Sequence, residues 1–270
     1  MKAAASAGWY TRLRAAGLAL LDLIYPPRCP GCGVLGQVFC EICQARIEPL
    51  RVGACLRCGS PVSGGPMCLA CRFPPTPLDD VISTAVFADP LRPAIHDLKY
   101  GGVRDLAKPL GERMAAFWPA AWQPGRLDAP DLILPVPLHR SRVRERGYNQ
   151  SALLARVLGP AVGFPVNETT LIRSRATRPQ VGLGATERKE NVAGAFVVRR
   201  DVAGQRVVLV DDVCTTGATL EACAAALKAA GAAEVRGYTL SRARWGPVSP
   251  IAPEIVFTDS LPADLRRTYG

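Results

Sequence analysis

The feature that most constrains this chain is a strand, loop and helix pattern at residues 207–220. The segment reads V-V-L-V-D-D-V-C-T-T-G-A-T-L, so an apolar strand ends in two carboxylates and a hydroxyl-rich loop leads into a helix. Backbone N–H groups at a helix N-terminus, together with the helix dipole, favour an anion such as phosphate. Asp211 and Asp212 can accept hydrogen bonds from sugar hydroxyls. The pattern therefore predicts a sugar-phosphate site.

The loop residues indicate where the phosphate would bind. The predicted contacts are five consecutive residues, Thr215, Thr216, Gly217, Ala218 and Thr219. The threonines add hydroxyl donors, and the glycine lets the backbone approach a ligand closely. An acidic strand end like those at many magnesium sites is the alternative, but it leaves the T-T-G-x-T run unexplained. Two other phosphate motifs, G-x4-G-K-[ST] and a G-x-G-x-x-G after a strand, do not occur in the sequence.

Strand and helix patterns alternate along the second part of the chain. Apolar runs predict strands at 81–87, 131–136, 169–172, 195–198, 206–211 and 235–240. Helical patterns cover 91–100, 106–118, 149–158 and 220–230. This alternation predicts an α/β fold with a mainly parallel sheet flanked by helices. Ligands of such sheets bind at the carboxyl ends of the strands, so the two aspartates should meet ligand and not core.

Eight of the ten cysteines form four C-x2-C pairs. They are Cys29 and Cys32, Cys40 and Cys43, Cys55 and Cys58, and Cys68 and Cys71. Two such pairs complete a tetrahedral zinc site. Short gaps within each half favour sequential ligation, with the first four cysteines on one ion and the last four on another, and interleaved ligation is the alternative. Disulfides fit poorly with a cytoplasmic chain, so we predict a double zinc ribbon with two structural zinc ions.

Composition and charge narrow the class of protein. No segment approaches the roughly 20 apolar residues that a membrane span needs, so we expect a cytoplasmic protein without a membrane span. Trp9, Leu13, Leu20 and Ile24 fall on one helical stripe, which predicts an amphipathic lead-in helix over residues 1–24. The formal net charge of +10 falls to about +6 when two four-thiolate zinc sites are counted. The remaining positive charge lies mostly in the second part of the chain.

Except for about its last 25 residues, the chain resembles the ComF family, also called GntX-like or competence-protein ComFC-like. The motifs that carry the resemblance follow one another along the chain. They are K-Y-G-G from Lys99, P-V-P-L-H-R-S-R-V-R-E-R-G-Y-N-Q at 135–150, T-R-P-Q at 177–180 with E-R-K-E-N at 187–191, and the segment at 207–220. The last of these is similar to the signature with which type I phosphoribosyltransferases bind phosphoribosyl pyrophosphate (PRPP).

The resemblance implies a type I phosphoribosyltransferase-like domain that binds PRPP together with Mg2+. The arginine-rich loop after residue 136 lies where related transferases place their pyrophosphate loop, which assigns Arg144 and Arg146 to PRPP. Residues 173–191 lie where they carry a flexible lid. Arg178, Arg188 and Lys189 are therefore the candidate catalytic residues, which would stabilise the departing pyrophosphate. The two histidines, His96 and His139, are expected to play no part.

Together these patterns divide the chain into four parts. We expect a lead-in helix at 1–24, the double zinc ribbon at 25–73, the phosphoribosyltransferase-like domain at 79–245 and a C-terminal tail at 246–270. Three functions remain open. The first is phosphoribosyl transfer from PRPP to an unknown acceptor, and the second is PRPP sensing without turnover. The third is the handling of single-stranded DNA during natural transformation, with that DNA or a competence protein as partner.

Overall fold

The structure is a computed structural model, and it describes residues 26–50, 55, 76–177 and 185–243. The predicted lead-in helix at 1–24, the proline-rich residues 72–75 and the predicted tail at 246–270 lie outside the described residues. No helix of the described ranges is long and apolar enough to cross a bilayer.

Helices and strands alternate as the sequence predicts. The helices are α1 (Glu41–Ala45), α2 (Leu91–Lys99), α3 (Ala107–Ala116), α4 (Arg140–Arg146), α5 (Gln150–Val162), α6 (Ala185–Val192) and α7 (Ala218–Ala229). The strands are β1 (Asp80–Ser83), β2 (Leu132–Pro135), β3 (Leu171–Arg173), β4 (Phe196–Val198), β5 (Arg206–Cys214) and β6 (Glu234–Arg242). Short 3-10 turns at Arg104–Leu106 and Ala120–Trp122 complete the connections.

Four strands form one parallel sheet in the order β1-β6-β5-β2, and β3 and β4 form a separate antiparallel pair. The apolar runs of β5 and β6 are buried from both sides, because one hydrophobic cluster covers each face of the sheet. One cluster contains α2, α3 and α5, and the other contains α7 with β3 and β4. The predicted α/β fold with a mainly parallel sheet is therefore confirmed.

The first zinc ribbon packs directly on this sheet domain. Cys40, Cys43 and Ile47 belong to the same buried cluster as Leu91 of α2 and Tyr238 of β6. The backbone is joined as well, because the Val86 N–H donates to the Glu48 carbonyl at 2.9 Å. The cysteine module and the α/β domain therefore share one core.

Two segments differ from the sequence prediction. The strand expected at 81–87 ends at Ser83, where the Thr84 hydroxyl turns to donate to the Leu240 carbonyl at 2.6 Å. The arginine-rich segment expected as a loop is the helix α4. It begins after His139, whose ring nitrogen accepts from the Ser141 N–H, and it ends at Gly147, which has a φ of +82°. Glycine is the residue best suited to that left-handed position.

Candidate functional site

A pocket of about 180 Å³ opens at the carboxyl ends of β2 and β5. It is built by several elements that are far apart in sequence. Its lining residues are Val136, Pro137, Leu138 and His139 after β2, Ser141 and Arg142 of α4, Gln150 and Ser151 of α5, Arg173, Ala176 and Thr177 from the end of β3 onward, Asp211 and Asp212 of β5, and Thr219 of α7. The carboxyl end of a parallel strand is where such folds bind their ligands.

Asp211 and Asp212 lie within β5, which continues beyond them to Cys214. The half-buried Asp211 accepts hydrogen bonds from the Ser151 hydroxyl at 2.7 Å and from the Asp212 N–H at 2.9 Å. Asp212 is only 2% exposed, and its Oδ2 lies 2.7 Å from Nζ of Lys99. The predicted pair therefore reaches the pocket, but its two members have different surroundings.

The charges at this strand end perturb one another. Burial and the neighbouring charge of Asp212 raise the pKa of Asp211 to about 7, and the Lys99 charge and the Ser151 hydrogen bond oppose this rise. Burial alone would lower the pKa of Lys99, but the charges of Asp212 and Asp211 raise it above its ordinary value. Lys99 therefore stays protonated, and near neutral pH Asp211 can exchange a proton.

The predicted phosphate loop leads into α7. Gly217 precedes this 12-residue helix with a φ of +81°, a conformation that side-chain-bearing residues rarely adopt. The Ala218 N–H donates to the Thr216 hydroxyl at 3.3 Å, and Thr219 lines the pocket. All five predicted contacts, Thr215 to Thr219, therefore lie at the N-terminal end of the helix beside the carboxylates.

The arginines of α4 occupy different positions relative to the pocket. Arg142 lines it, although neither Arg144 nor Arg146 does. Arg144 is exposed. Arg146 hydrogen-bonds to Gln150, and its guanidinium carbon lies 4.9 Å from the ring centroid of Tyr100. Because the segment is helical, only one side of it faces the pocket. The sequence analysis expected a loop here and therefore could not show which arginine lies on that side.

Arg173 is a pocket residue that the sequence analysis missed. Its Nε is buried without a hydrogen-bond partner, and its guanidinium donates to the Thr177 hydroxyl and lies 5.4 Å from the centroid of the Phe196 ring. Burial lowers its pKa. The signal was available, because Arg173 directly follows a predicted strand, and polar residues at that end of a strand meet ligands.

The remaining predicted site residues are distributed as follows. His139 lines the pocket with Nδ1 2.7 Å from the Ser141 hydroxyl, and the expectation that it plays no part stays a prediction. His96 is largely exposed and contacts Tyr100. Arg178 lies outside the described residues, and so do the side chains of Arg188 and Lys189, although their backbone belongs to α6.

The first two cysteine pairs meet at one point. The sulfurs of Cys29, Cys32, Cys40 and Cys43 all lie within 4.8 Å of one another. Four thiolates converging in this way fit a closed, structural zinc site. The grouping is the sequential arrangement and not the interleaved one. Gly33, directly after the second cysteine, takes a φ of +79° in the turn. Of the other four cysteines, only Cys55 is described, and it is buried.

Comparison with known proteins gives two family matches. Residues 144–260 match the model described as phosphoribosyl transferase domain, and residues 20–72 match the double zinc ribbon domain. The DNA utilization protein YhgH of Salmonella typhimurium is 35% identical over 205 residues, which cover 76% of this chain and 90% of that protein. Competence protein F of Haemophilus influenzae is 30% identical over 209 residues, with coverages of 76% and 90%. Competence protein ComFC of Bacillus subtilis is 25% identical over 216 residues, with coverages of 76% and 85%.

Among solved structures, glutamine PRPP amidotransferase from B. subtilis, complexed with ADP and GMP, is 25% identical with a TM-score of 0.34. The match covers 51% of this chain and 26% of the amidotransferase. A hypoxanthine phosphoribosyltransferase from Trypanosoma cruzi is 19% identical with a TM-score of 0.32, covering 56% of this chain and 70% of that enzyme.

Proposed function

This chain belongs to the ComF family, in which a double zinc ribbon precedes a phosphoribosyltransferase domain, and from that premise we propose that it binds PRPP and transfers the phosphoribosyl group to an acceptor. The observation that carries the proposal is the convergence of Asp211, Thr219, Arg142 and Arg173 on one pocket at the carboxyl ends of the strands. A ligand with sugar hydroxyls and phosphates at both ends matches this mixture of acceptors and cations.

In this proposal the 5′-phosphate binds at the N-terminus of α7. Backbone N–H groups of residues 215–219 and the helix dipole attract it. Asp211 accepts a hydrogen bond from a ribose hydroxyl, since its carboxylate faces the pocket while that of Asp212 is held by Lys99. Gly217 contributes its backbone conformation and does not need a side chain for this role.

The pyrophosphate would lie at the other end of the pocket. Arg142 and Arg173 line the pocket together with residues 136–138 and would contact the pyrophosphate there. Guanidinium groups bind phosphate oxygens with paired hydrogen bonds, and the unpartnered Nε of Arg173 is available for one of them. Arg144 and Arg146 would add positive charge beside the pocket without contacting the ligand directly.

Mg2+ would bind together with PRPP, coordinated by its phosphate oxygens. The described residues of the pocket provide no group of three metal-ligating side chains, since the only such group in the described part of the chain is the cysteine cluster. Magnesium commonly relies on substrate phosphates and water for most of its ligands. The zinc ions, by contrast, have a structural role, and we propose that Cys55, Cys58, Cys68 and Cys71 hold the second one.

In the reaction, the bond between C1 of the ribose and the pyrophosphate oxygen breaks, and a nucleophilic atom of the acceptor bonds to C1. This chemistry needs positioning and charge stabilisation and no side-chain nucleophile. Arg173 and Arg142 would stabilise the charge of the departing pyrophosphate. Arg178, Arg188 and Lys189 remain proposed contributors from the segment after β3.

Calorimetric titration with PRPP and Mg2+ tests the site. A charged acceptor facing a hydroxyl is worth roughly 1.5–3 kcal/mol, so Asp211→Asn should weaken binding by about ten- to a hundredfold. Asp201→Asn is the matched control, because Asp201 is exposed and does not line the pocket. Equal PRPP affinity of Asp211→Asn and the parent protein would refute the assignment. Pyrophosphate release with candidate acceptors then separates a transferase from a PRPP sensor that lacks turnover.

A second candidate function is the binding of single-stranded DNA. Relatives are named DNA utilization protein and competence protein, and one surface feature beside the pocket favours such a ligand. Tyr100 is 63% exposed, with Arg146 over its ring and the His96 ring 5.1 Å away. Arg104 adds a further cation, 4.7 Å from the ring centroid of the buried Tyr148. An exposed aromatic ring among cations is typical of surfaces on which bases stack.

Fluorescence anisotropy with a labelled single-stranded oligonucleotide tests this function. Stacking contributes roughly 1–3 kcal/mol per base, so Tyr100→Ala should weaken binding about tenfold. Phe117→Ala is a close control, because Phe117 is also an exposed ring beneath an arginine, Arg113. Binding should also fall steeply with added salt. An equal loss in the two variants, or no binding by the parent protein, would exclude this surface.

A further inference from the structure

We infer that Lys99, the first residue of the K-Y-G-G motif, is a positioning residue whose charge favours the ionised form of the Asp211–Asp212 pair that would bind PRPP. The inference rests on the proposed PRPP site and assigns a role to a motif that the signature at 207–220 leaves unexplained. Lys99 does not line the pocket. It acts through Asp212, with which it forms a largely buried ion pair.

The ion pair joins the last residue of α2 to the middle of β5. The Lys99 ammonium lies 2.7 Å from Asp212 Oδ2, with side-chain exposures of 22% and 4%. Without that ammonium, Asp212 would be an uncompensated buried charge. Removing one partner of such a pair is strongly unfavourable, and a carboxylate left in that position takes up a proton instead.

The rest of the motif explains how Lys99 is held in place. Gly102 has a φ of +72°, and a side chain on Gly101 would put its first carbon 3.1 Å from the backbone of Asp97. The chain can therefore turn sharply at the end of α2. The helix end is also anchored by the Tyr148 hydroxyl, which donates to the Leu98 carbonyl at 2.5 Å. Tyr100 packs beneath Arg146. The three residues that follow Lys99 in the motif thus each help to hold the lysine in place.

Other groups around the carboxylates do not replace this charge. Arg173 of β3, Arg142 of α4 and His139 line the same pocket, and Cys223 of α7 lies close enough to feel the charge of Asp211. Ser151 of α5 donates a hydrogen bond to Asp211. Among the described residues, however, Lys99 is the cation that forms an ion pair with Asp212, and its charge also acts on Asp211. Its removal leaves two adjacent negative groups, which cannot both stay ionised at little cost.

The test compares Lys99→Met and Lys99→Arg with the parent protein, by PRPP titration between about pH 6 and pH 9. Loss of the cation raises the pKa of the carboxyl pair. At a pH below that pKa, a rise of one pKa unit lowers the ionised fraction about tenfold. Lys99→Met should therefore bind PRPP roughly tenfold more weakly at pH 7 and recover toward parent affinity at pH 9. Lys99→Arg should restore most of the binding at pH 7. Lys108→Met, a change at an exposed lysine of α3, should leave binding unchanged.

If Lys99→Met weakens PRPP binding by the same factor at every pH, the role of Lys99 is merely structural and the inference is overturned. Unchanged affinity of Lys99→Met would overturn it as well. A 13C NMR titration of the aspartate carboxyls separates this failure from that of the proposed function. If the parent protein binds no PRPP, the proposed function fails, and the NMR titration still tests the role of Lys99. The carboxyl midpoint must then move upward in Lys99→Met and not in Lys99→Arg. An unmoved midpoint overturns the inference whatever happens with PRPP.

Discussion

Asp211 and Asp212 are neighbours in the chain, but their carboxylates contact different groups. Successive side chains of a strand point to opposite faces, and although both residues line the pocket, Asp211 accepts from Ser151 while Asp212 pairs with Lys99. Asp211 is half-buried with a pKa of about 7, and the charge of Asp212 is compensated by Lys99. A change at Asp212 therefore also breaks a buried ion pair, which a change at Asp211 leaves intact.

Keeping the Asp211 carboxyl at the site lowers the stability of the folded protein above neutral pH. Its folded-state pKa of about 7 lies above the ordinary value of 3.8. Its contribution to stability is therefore complete below about pH 4 and is lost as the pH rises through about 7. Above that pH the folded state holds a buried charge beside Asp212. Asp211→Asn removes this charge and keeps an oxygen that can accept from Ser151, so it should be more stable than the parent protein at pH 8.

The measurement is thermal unfolding of both proteins at several pH values. The advantage of Asp211→Asn should grow between about pH 4 and pH 7 and reach about 1 kcal/mol or more, which is roughly 2–4 °C in Tm for a domain of this size. Asp201→Asn should show no such growth, since Asp201 is exposed. A difference in Tm that does not depend on pH would contradict the raised pKa.

The helices and strands that the sequence predicts correctly are those whose apolar residues follow a regular pattern because one or both of their faces are buried. The runs at β2, β5 and β6 and the apolar faces of α2 and α5 carry such a pattern, because each packs against the sheet or forms it. Helix α4 escaped prediction because none of its seven residues is buried, so no apolar stripe marks it. It depends on local features, the His139 N-cap and Gly147, which only a position-by-position search for caps would find.

The same distinction applies to the site. The signature at 207–220 is contiguous, so its residues and their position at a strand end followed from the sequence. Arg173 and Lys99 come from other elements, and only the folded structure shows that the ends of β3 and α2 approach the end of β5. The residues that the sequence missed are thus those whose role depends on packing over long distances along the chain.

For the whole molecule, the shared core couples the metal site to the α/β domain. The first-ribbon residues Cys29, Phe39 and Cys43 lie in one hydrophobic cluster with Trp118 and Trp122. Gly31 is so close to the sheet domain that a side chain there would put its first carbon 2.8 Å from Pro90 and 2.7 Å from the Cys43 sulfur. Binding of a structural metal contributes folding free energy, and because ribbon and domain share this cluster, we expect that free energy to stabilise the α/β domain as well.

We therefore predict that removing zinc lowers the stability of the α/β domain. Loss of about 2 kcal/mol or more should reduce Tm by roughly 4–8 °C, measured by tryptophan fluorescence, to which the buried Trp118 and Trp122 contribute. Cys43→Ser should reproduce the effect of a chelator, and zinc should restore the chelated protein but not the variant. If elemental analysis shows that the metal is gone and the fluorescence melt has not moved, the ribbon and the domain are independent.

The sheet order has a consequence for how this protein is made. Strand β1 pairs with β6, the last strand of the described chain, and with no other strand of the described sheet. During synthesis β1 leaves the ribosome long before its neighbour exists, and so does the apolar face of α2 that follows it. Because contacts between distant parts of a chain form late and slowly, this stretch must remain unpaired until almost all of the domain has emerged. The nascent chain therefore exposes a strand edge for most of its translation, and such an edge favours aggregation until it is paired.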